Sequence, residues 1–107
     1  AADSGSARAQ FEMGNRYFDG TGVEIDFQQA EAYWEAAAQQ GVAAAQYNLG
    51  CLLDGSLTGG PSLTTYEPER AGYWLEQAAR NGHKDAAQLL NLRYRFNQRK
   101  NKWEKIQ

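Results

Sequence analysis

The chain has 107 residues, of which 42% are hydrophobic, and it carries 13 acidic residues, 11 basic residues and a single cysteine. This length suits one modest domain, and the hydrophobic fraction is typical of a globular fold rather than a disordered chain. No run of about 18 apolar residues is present, so we expect no membrane-inserted helix. One cysteine excludes an internal disulfide.

The first half of the chain contains two predicted helices. Apolar residues recur at helical spacing throughout, which predicts helices and no strand. The first helix covers residues 7–18 and is broken by the turn at 19–22. The second begins near Asp26, whose carboxylate can accept backbone hydrogen bonds, and it ends at Gly41, where glycine tolerates a left-handed cap.

The second half repeats this pattern. A third helix ends at Asp54 and Gly55, and a fourth begins at Pro68, because proline suits the first helical position. The last helix begins near Lys84 and is predicted to run through Tyr94 and Phe96. We interpret the chain as two helical hairpins and a terminal helix, with residues 93–107 forming a capping helix or tail.

An alanine-rich segment that contains a glycine recurs three times, at residues 1–14, 36–50 and 78–91. A unit that recurs in this way cannot bury its hydrophobic face alone and must stack on its neighbours. Gly14 and Gly50 fall in the middle of helices, where glycine costs about 1 kcal/mol relative to alanine. We therefore predict that a neighbouring helix approaches closely at both glycines.

The repeated residues resemble the Sel-one-like repeat family, an α-solenoid relative of the tetratricopeptide repeats. Residues 45–50 read AQYNLG and residues 9–20 read AQFEMGNRYFDG, which match the first helix of that repeat. The resemblance implies an all-α solenoid of two antiparallel helix hairpins in a single domain, 1–107. The expected parts are a first repeat at about 9–44, a second at about 45–85, and a partial third repeat or capping helix at about 86–107.

The second repeat has six more residues than the first between its helices, within 55–70. Loops accept insertions at little free-energy cost, so neutral drift is one explanation. Insertions in solenoids also collect on binding faces. If this loop makes a specific contact, its expected anchors are Leu57, Leu63 and Tyr66.

The resemblance implies a non-enzymatic module or scaffold that binds a protein or peptide along successive first helices. Residues three or four apart share one face of a helix. The candidate binding residues on this face are Arg8, Asn15, Tyr47, Gln88, Leu92 and Arg95. The start of the chain matches a repeat junction, so neighbouring repeats of a longer parent chain are also expected partners; a start left by signal-peptide cleavage is the alternative.

Candidate catalytic and metal-ligating residues are few. His83 is interpreted as a packing or capping residue and Cys51 as a small buried hydrophobe. One histidine and one cysteine cannot supply a structural zinc site, and we expect no cofactor or metal. Some cysteine-rich relatives of the resembled family are associated with β-lactam binding or hydrolysis, which leaves an enzyme as an alternative, although their paired cysteines are absent here.

The basic C-terminal segment gives a third hypothesis. From Arg93 onward the chain has six basic residues and one acid, whereas the remainder has five basic and twelve acidic residues. The tail could bind nucleic acid or anionic lipid, but the acidic remainder would repel a polyanion, so we expect no nucleic-acid partner. A solvated face, or contact with an acidic partner surface, is favoured instead. The resembled family occurs in bacterial envelope and secreted proteins and also in eukaryotic degradation complexes of the endoplasmic reticulum, so the localisation stays open, with a bacterial envelope or secreted protein preferred.

Overall fold

The computed structural model describes residues 6–55 and 67–106 as five helices followed by a two-stranded hairpin. The elements are α1 (Ala7–Asp19), α2 (Phe27–Gln39), α3 (Ala43–Leu53), α4 (Pro68–Arg80), α5 (Lys84–Arg93), β1 (Tyr94–Asn97) and β2 (Lys102–Lys105). Consecutive helices pack on one another, from α1 on α2 to α4 on α5. The predicted all-α solenoid is therefore confirmed. In the described residues, no helix has both the length and the apolarity needed to cross a bilayer.

The helix boundaries follow from local sequence signals. The Asp26 carboxylate accepts hydrogen bonds from the backbone N–H groups of Gln28 and Gln29, which fixes the start of α2. Pro68 lies at the start of α4, as predicted. The chain passes from α2 to α3 through Gly41, whose φ of 91° is one that residues with a Cβ rarely adopt.

Two helical glycines allow large side chains of the partner helix to pack against the backbone. A Cβ added at Gly14 would lie 2.3 Å from Cδ1 of Trp34, and one added at Gly50 would lie 2.7 Å from Cγ of Leu75. Both contacts join the first helix of a repeat to its second. The close approach predicted at these glycines is confirmed.

The core runs continuously through both repeats. Trp34, Leu49, Leu52 and Leu75 are almost fully buried within it. At its edge, Arg70 on α4 forms ion pairs with Glu31 and Glu35 on α2. Because these partners belong to different repeats, the ion pairs help to fix how the second hairpin is placed on the first.

The terminal helix ends at Arg93, so the predicted continuation of this helix through Tyr94 and Phe96 is wrong, and no capping helix covers residues 94–106. Tyr94 has extended dihedral angles, φ −129° and ψ 150°. It begins an antiparallel hairpin in which Phe96 pairs with Trp103. Extended backbone turns the Tyr94 ring inward, where it is buried and its hydroxyl donates to Oδ2 of Asp54 at 3.1 Å.

The hairpin packs against α4, chiefly through β2. Alignment of the core alanines Ala30 and Ala71 places Glu31 of α2 opposite Gly72 of α4. Glu31 is contacted by the next repeat through Arg70, whereas Gly72 is contacted by Trp103 of the hairpin. The hairpin therefore contacts α4 at the position equivalent to the one at which Arg70 of α4 contacts α2.

Candidate protein-binding surface

The predicted binding residues lie along one series of helices. We call α1, α3 and α5 the A helices and α2 and α4 the B helices. Five of the six candidates are on A helices, and Arg95 is on β1, two residues beyond α5. Four are exposed, namely Arg8, Gln88, Leu92 and Arg95, while Asn15 and Tyr47 are half-buried.

Asn15 and Arg8 differ in what they offer to a ligand. The side-chain oxygen of Asn15 accepts a hydrogen bond from Nε1 of Trp34 at 3.1 Å, so it satisfies the polar edge of a buried indole. Arg8 remains exposed and donates to Glu12 at 3.1 Å one helical turn away. The binding roles of both remain predictions, and the contact made by Asn15 is explained by the core alone.

Tyr47 connects the A helices of the second and third copies. Its ring stacks on the imidazole of His83, with centroids 4.3 Å apart and planes inclined by 18°. Nδ1 of His83 in turn accepts from the backbone N–H of Ala86 at 3.2 Å and caps α5. His83 therefore packs and caps in this structure. The ring of Tyr47, one of the predicted binding residues, already makes a contact within the fold.

A buried polar cluster lies below Tyr47. It contains Cys51, which is 3% exposed, and Asp54, which is 1% exposed and accepts from Tyr94. Burial, together with the nearby Asp54 carboxylate, raises the pKa of the Cys51 thiol to about 12. Desolvation and the adjacent thiol likewise raise the pKa of Tyr47 to about 12. A protonated, buried thiol is a poor nucleophile.

We expect the Cys51 thiol to be unreactive in the folded protein. Ellman's reagent at pH 8 should leave Cys51 unmodified without denaturant and modify it fully in denaturant. The thiol pKa rises from an ordinary value of 9.0 to about 12 in the folded protein, so between these two pH values only the unfolded chain loses the thiol proton. The free energy of unfolding should therefore fall as the pH rises from 9.0 towards 12. Labelling of folded protein at the rate of a free cysteine would contradict this assignment.

Sequence reasoning missed a second surface feature, a pocket of about 400 Å³ between α4 and the hairpin. Its aromatic lining comprises Tyr73, Phe96 and Trp103. Nε1 of Trp103 donates to Glu76 at 2.7 Å, and Nζ of Lys102 lies 2.7 Å from Oε1 of Glu69. Both carboxylates beside the pocket therefore have partners on the hairpin. The sequence signal for this pocket was the adjacent pair Tyr73 and Trp74 on α4. Only one of two adjacent helical residues can face the core, so the other ring must lie at the surface.

Some sequence expectations concern residues outside the described ranges. The predicted loop anchors Leu57, Leu63 and Tyr66 all lie there, and their contact role remains a prediction. Within the described residues, no group of three or more His, Cys, Asp or Glu side chains could hold a metal ion.

The repeat pattern also matches known proteins. A sequence model of the Sel1 repeat matches residues 7–42 and residues 43–83. The chain belongs to the Sel1 repeat family. The resemblance inferred from the AQYNLG segment is therefore confirmed, and each matched unit contains one A helix and one B helix.

Relatives of this Sel1 repeat chain are much longer than it is. It is 32% identical over 93 residues to chitin synthase regulatory factor 4 of Schizosaccharomyces pombe, covering 86% of this chain and 13% of that protein. A protective antigen of uropathogenic Escherichia coli, which has an SLR fold, superposes with a TM-score of 0.70 and 31% identity over 81% of this chain and 18% of the antigen. A Sel1 repeat protein from Oxalobacter formigenes gives 0.69 and 29%, covering 82% and 34%.

Proposed function

We propose that this chain is a non-enzymatic interaction module that holds a protein or peptide against its A helices. Sel1 repeats generally are protein-interaction modules. The observation that carries the proposal is Leu92, a large aliphatic side chain on the A helix α5 that is 77% exposed. Gln88, one helical turn earlier, and Arg95, three residues later, are also exposed. A few such anchors supply most of the affinity of an interface.

The chemistry of the buried cluster argues against an enzyme. Cys51 is the single cysteine, and its burial and raised pKa suppress the thiolate that a nucleophile needs. His83 uses Nδ1 to cap α5 and its ring face to pack on Tyr47. These contacts account for both residues without a catalytic role.

Site-specific photo-crosslinking would test the proposal. A photoreactive phenylalanine analogue would replace Leu92 or Gln88 in this chain, expressed in its own host. Both positions are exposed, so the fold should tolerate the analogue. Ile25, which is 59% exposed in the turn between α1 and α2, is the matched control position, and Tyr73 reports on the pocket beside α4.

We expect a discrete crosslinked protein partner from positions 88 and 92 and none from position 25. The crosslinked band should disappear when an excess of the isolated 107-residue chain competes for the partner. Equal crosslinking at position 25 would contradict a defined site, and a partner captured at Tyr73 alone would move the site to the B-helix face.

A further inference from the structure

The C-terminal hairpin has two sides, and one of them faces α4. Tyr94, Phe96 and Trp103 share the side of the hairpin that faces α4, because cross-strand partners project from the same face. Alternate residues project oppositely, so Arg95 and its partner Glu104 lie on the other side. We call that side the outer face of the hairpin.

Two exposed aliphatic residues, Leu92 and Ile106, lie at the end of the hairpin opposite its turn. Leu92 lies at the end of α5, and Ile106, which is 46% exposed, is placed beside Arg93 because its backbone N–H donates to the Arg93 carbonyl at 2.7 Å. Exposed apolar side chains next to cations form a mixed surface. Such a surface suits a ligand that carries both an apolar group and negative charge.

The outer face and the turn of the hairpin carry mainly basic side chains. Arg95, Arg99 and Lys100 are all exposed, and Arg99 and Lys100 lie in the turn between the strands. Lys100 is 3.6 Å from Glu104, the one acid from residue 93 onward. The rest of the chain carries an acidic excess, so the basic surface is local to the hairpin.

We infer that the outer face of the hairpin, together with Leu92, binds an acidic peptide segment that carries an aliphatic or aromatic anchor. The inference rests on the proposed function and specifies the chemistry of its partner. Charge complementarity selects an acidic ligand, and Leu92 with Ile106 selects an apolar side chain in it. A short peptide fits this small basic surface, whereas a long polyanion would also meet the acidic remainder of the chain.

Fluorescence anisotropy with defined probes would test the inference on the whole chain. The probe is a labelled peptide of about twelve residues that contains the segment Glu-Glu-Leu. The comparison peptide has Lys in place of each Glu. The test variant is Arg95→Gln with Arg99→Gln. The matched control, Lys84→Gln with Arg16→Gln, removes the same charge from exposed positions elsewhere.

We expect the acidic peptide to bind, and the lysine version not to bind. The hairpin variant should weaken binding about tenfold, as should Leu92→Ser, while the control variant should change it less than twofold. Raising NaCl from about 50 to 500 mM should weaken binding by a similar factor, because exposed ion pairs are screened. Circular dichroism would confirm that each variant keeps the helical content of the parent chain.

Four outcomes would overturn the inference, and the first three follow directly from the binding assays. These are no binding of the acidic peptide, equal weakening by the control variant, and preference for single-stranded DNA or phosphatidylserine vesicles over the peptide. A concentration-dependent dimer that competes with the peptide would also overturn it, since the occupant would then be a second copy. If position 92 still crosslinks to a partner but the acidic peptide does not bind, the proposed interaction module stands and only this ligand chemistry is refuted.

Discussion

Gly14→Ala is expected to lower the free energy of unfolding by about 2 kcal/mol, within the range measured for overpacked cores. Alanine is otherwise preferred over glycine in a helix by about 1 kcal/mol, so the expected sign is opposite to that of helix propensity. The reason is steric, because the new Cβ would lie 2.3 Å from Cδ1 of Trp34, whose ring is 1% exposed and cannot move aside freely.

The chain offers a matched control for this substitution. Asn91 occupies the equivalent position in the third copy and is exposed on α5. Asn91→Ala should therefore raise stability by about 0.5 kcal/mol, as propensity alone predicts. Urea denaturation followed by circular dichroism would measure both changes. If Gly14→Ala were also stabilising, the close approach of α2 to α1 would be disproved.

The steric cause can be separated from other effects with a second substitution. Trp34→Leu removes the ring that the new Cβ would meet, so Gly14→Ala should be much less destabilising in that background. A coupling of at least about 1 kcal/mol between the two positions is expected, because they are in direct contact. Additive effects would indicate that Gly14 acts through backbone freedom and not through packing.

Asp54→Ala is expected to lower the free energy of unfolding by about 3 kcal/mol. Asp54 is 1% exposed, and its carboxylate accepts from the Tyr94 hydroxyl at 3.1 Å. Removing the carboxylate opens a small cavity and leaves a buried hydroxyl without this acceptor. Because the contact joins the end of α3 to the first residue of β1, the hairpin should loosen as well.

Tyr94→Phe isolates the hydrogen bond from the packing of the ring. It should lower stability by about 1–2 kcal/mol, since it leaves a buried carboxylate one donor short. Tyr73→Phe is the control, because Tyr73 is 51% exposed and its loss of a hydroxyl should change stability by less than about 0.5 kcal/mol. An equal effect in both variants would rule out a special role for the Asp54 contact. Tryptophan emission, to which Trp103 contributes together with Trp34 and Trp74, should change if the hairpin loosens.

Much of the fold could be predicted because its signals are local. Asp26 and Pro68 mark helix starts through hydrogen bonds and dihedral angles within a few residues of themselves. Gly14 and Gly50 are informative because a residue that weakens a helix needs a compensating contact elsewhere. The repeated AQ…G segments indicated the family, and the family model confirmed it.

The C-terminal hairpin could not be predicted with the same reasoning. Leu90 and Tyr94 are spaced as on one face of a helix, but Tyr94–Asn97 also alternates between apolar and polar residues as in a strand. Short segments of this kind satisfy both patterns. What decides between them is distant in sequence: the acceptor Asp54 for the Tyr94 hydroxyl, and the backbone at Gly72 against which Trp103 packs.

The candidate binding residues divide in the same way. Helical spacing placed Asn15 and Leu92 on equivalent stripes of their helices, and that geometry is a property of the sequence. The surroundings of these two residues are not fixed by spacing, because Asn15 contacts the indole of Trp34 whereas Leu92, near the end of α5, is 77% exposed. The sequence by itself determined the repeats and which helix faces are paired, since both depend on spacing within one helix. Only the tertiary structure decided that a hairpin follows α5 and which candidate residues are exposed, since both depend on contacts between distant segments.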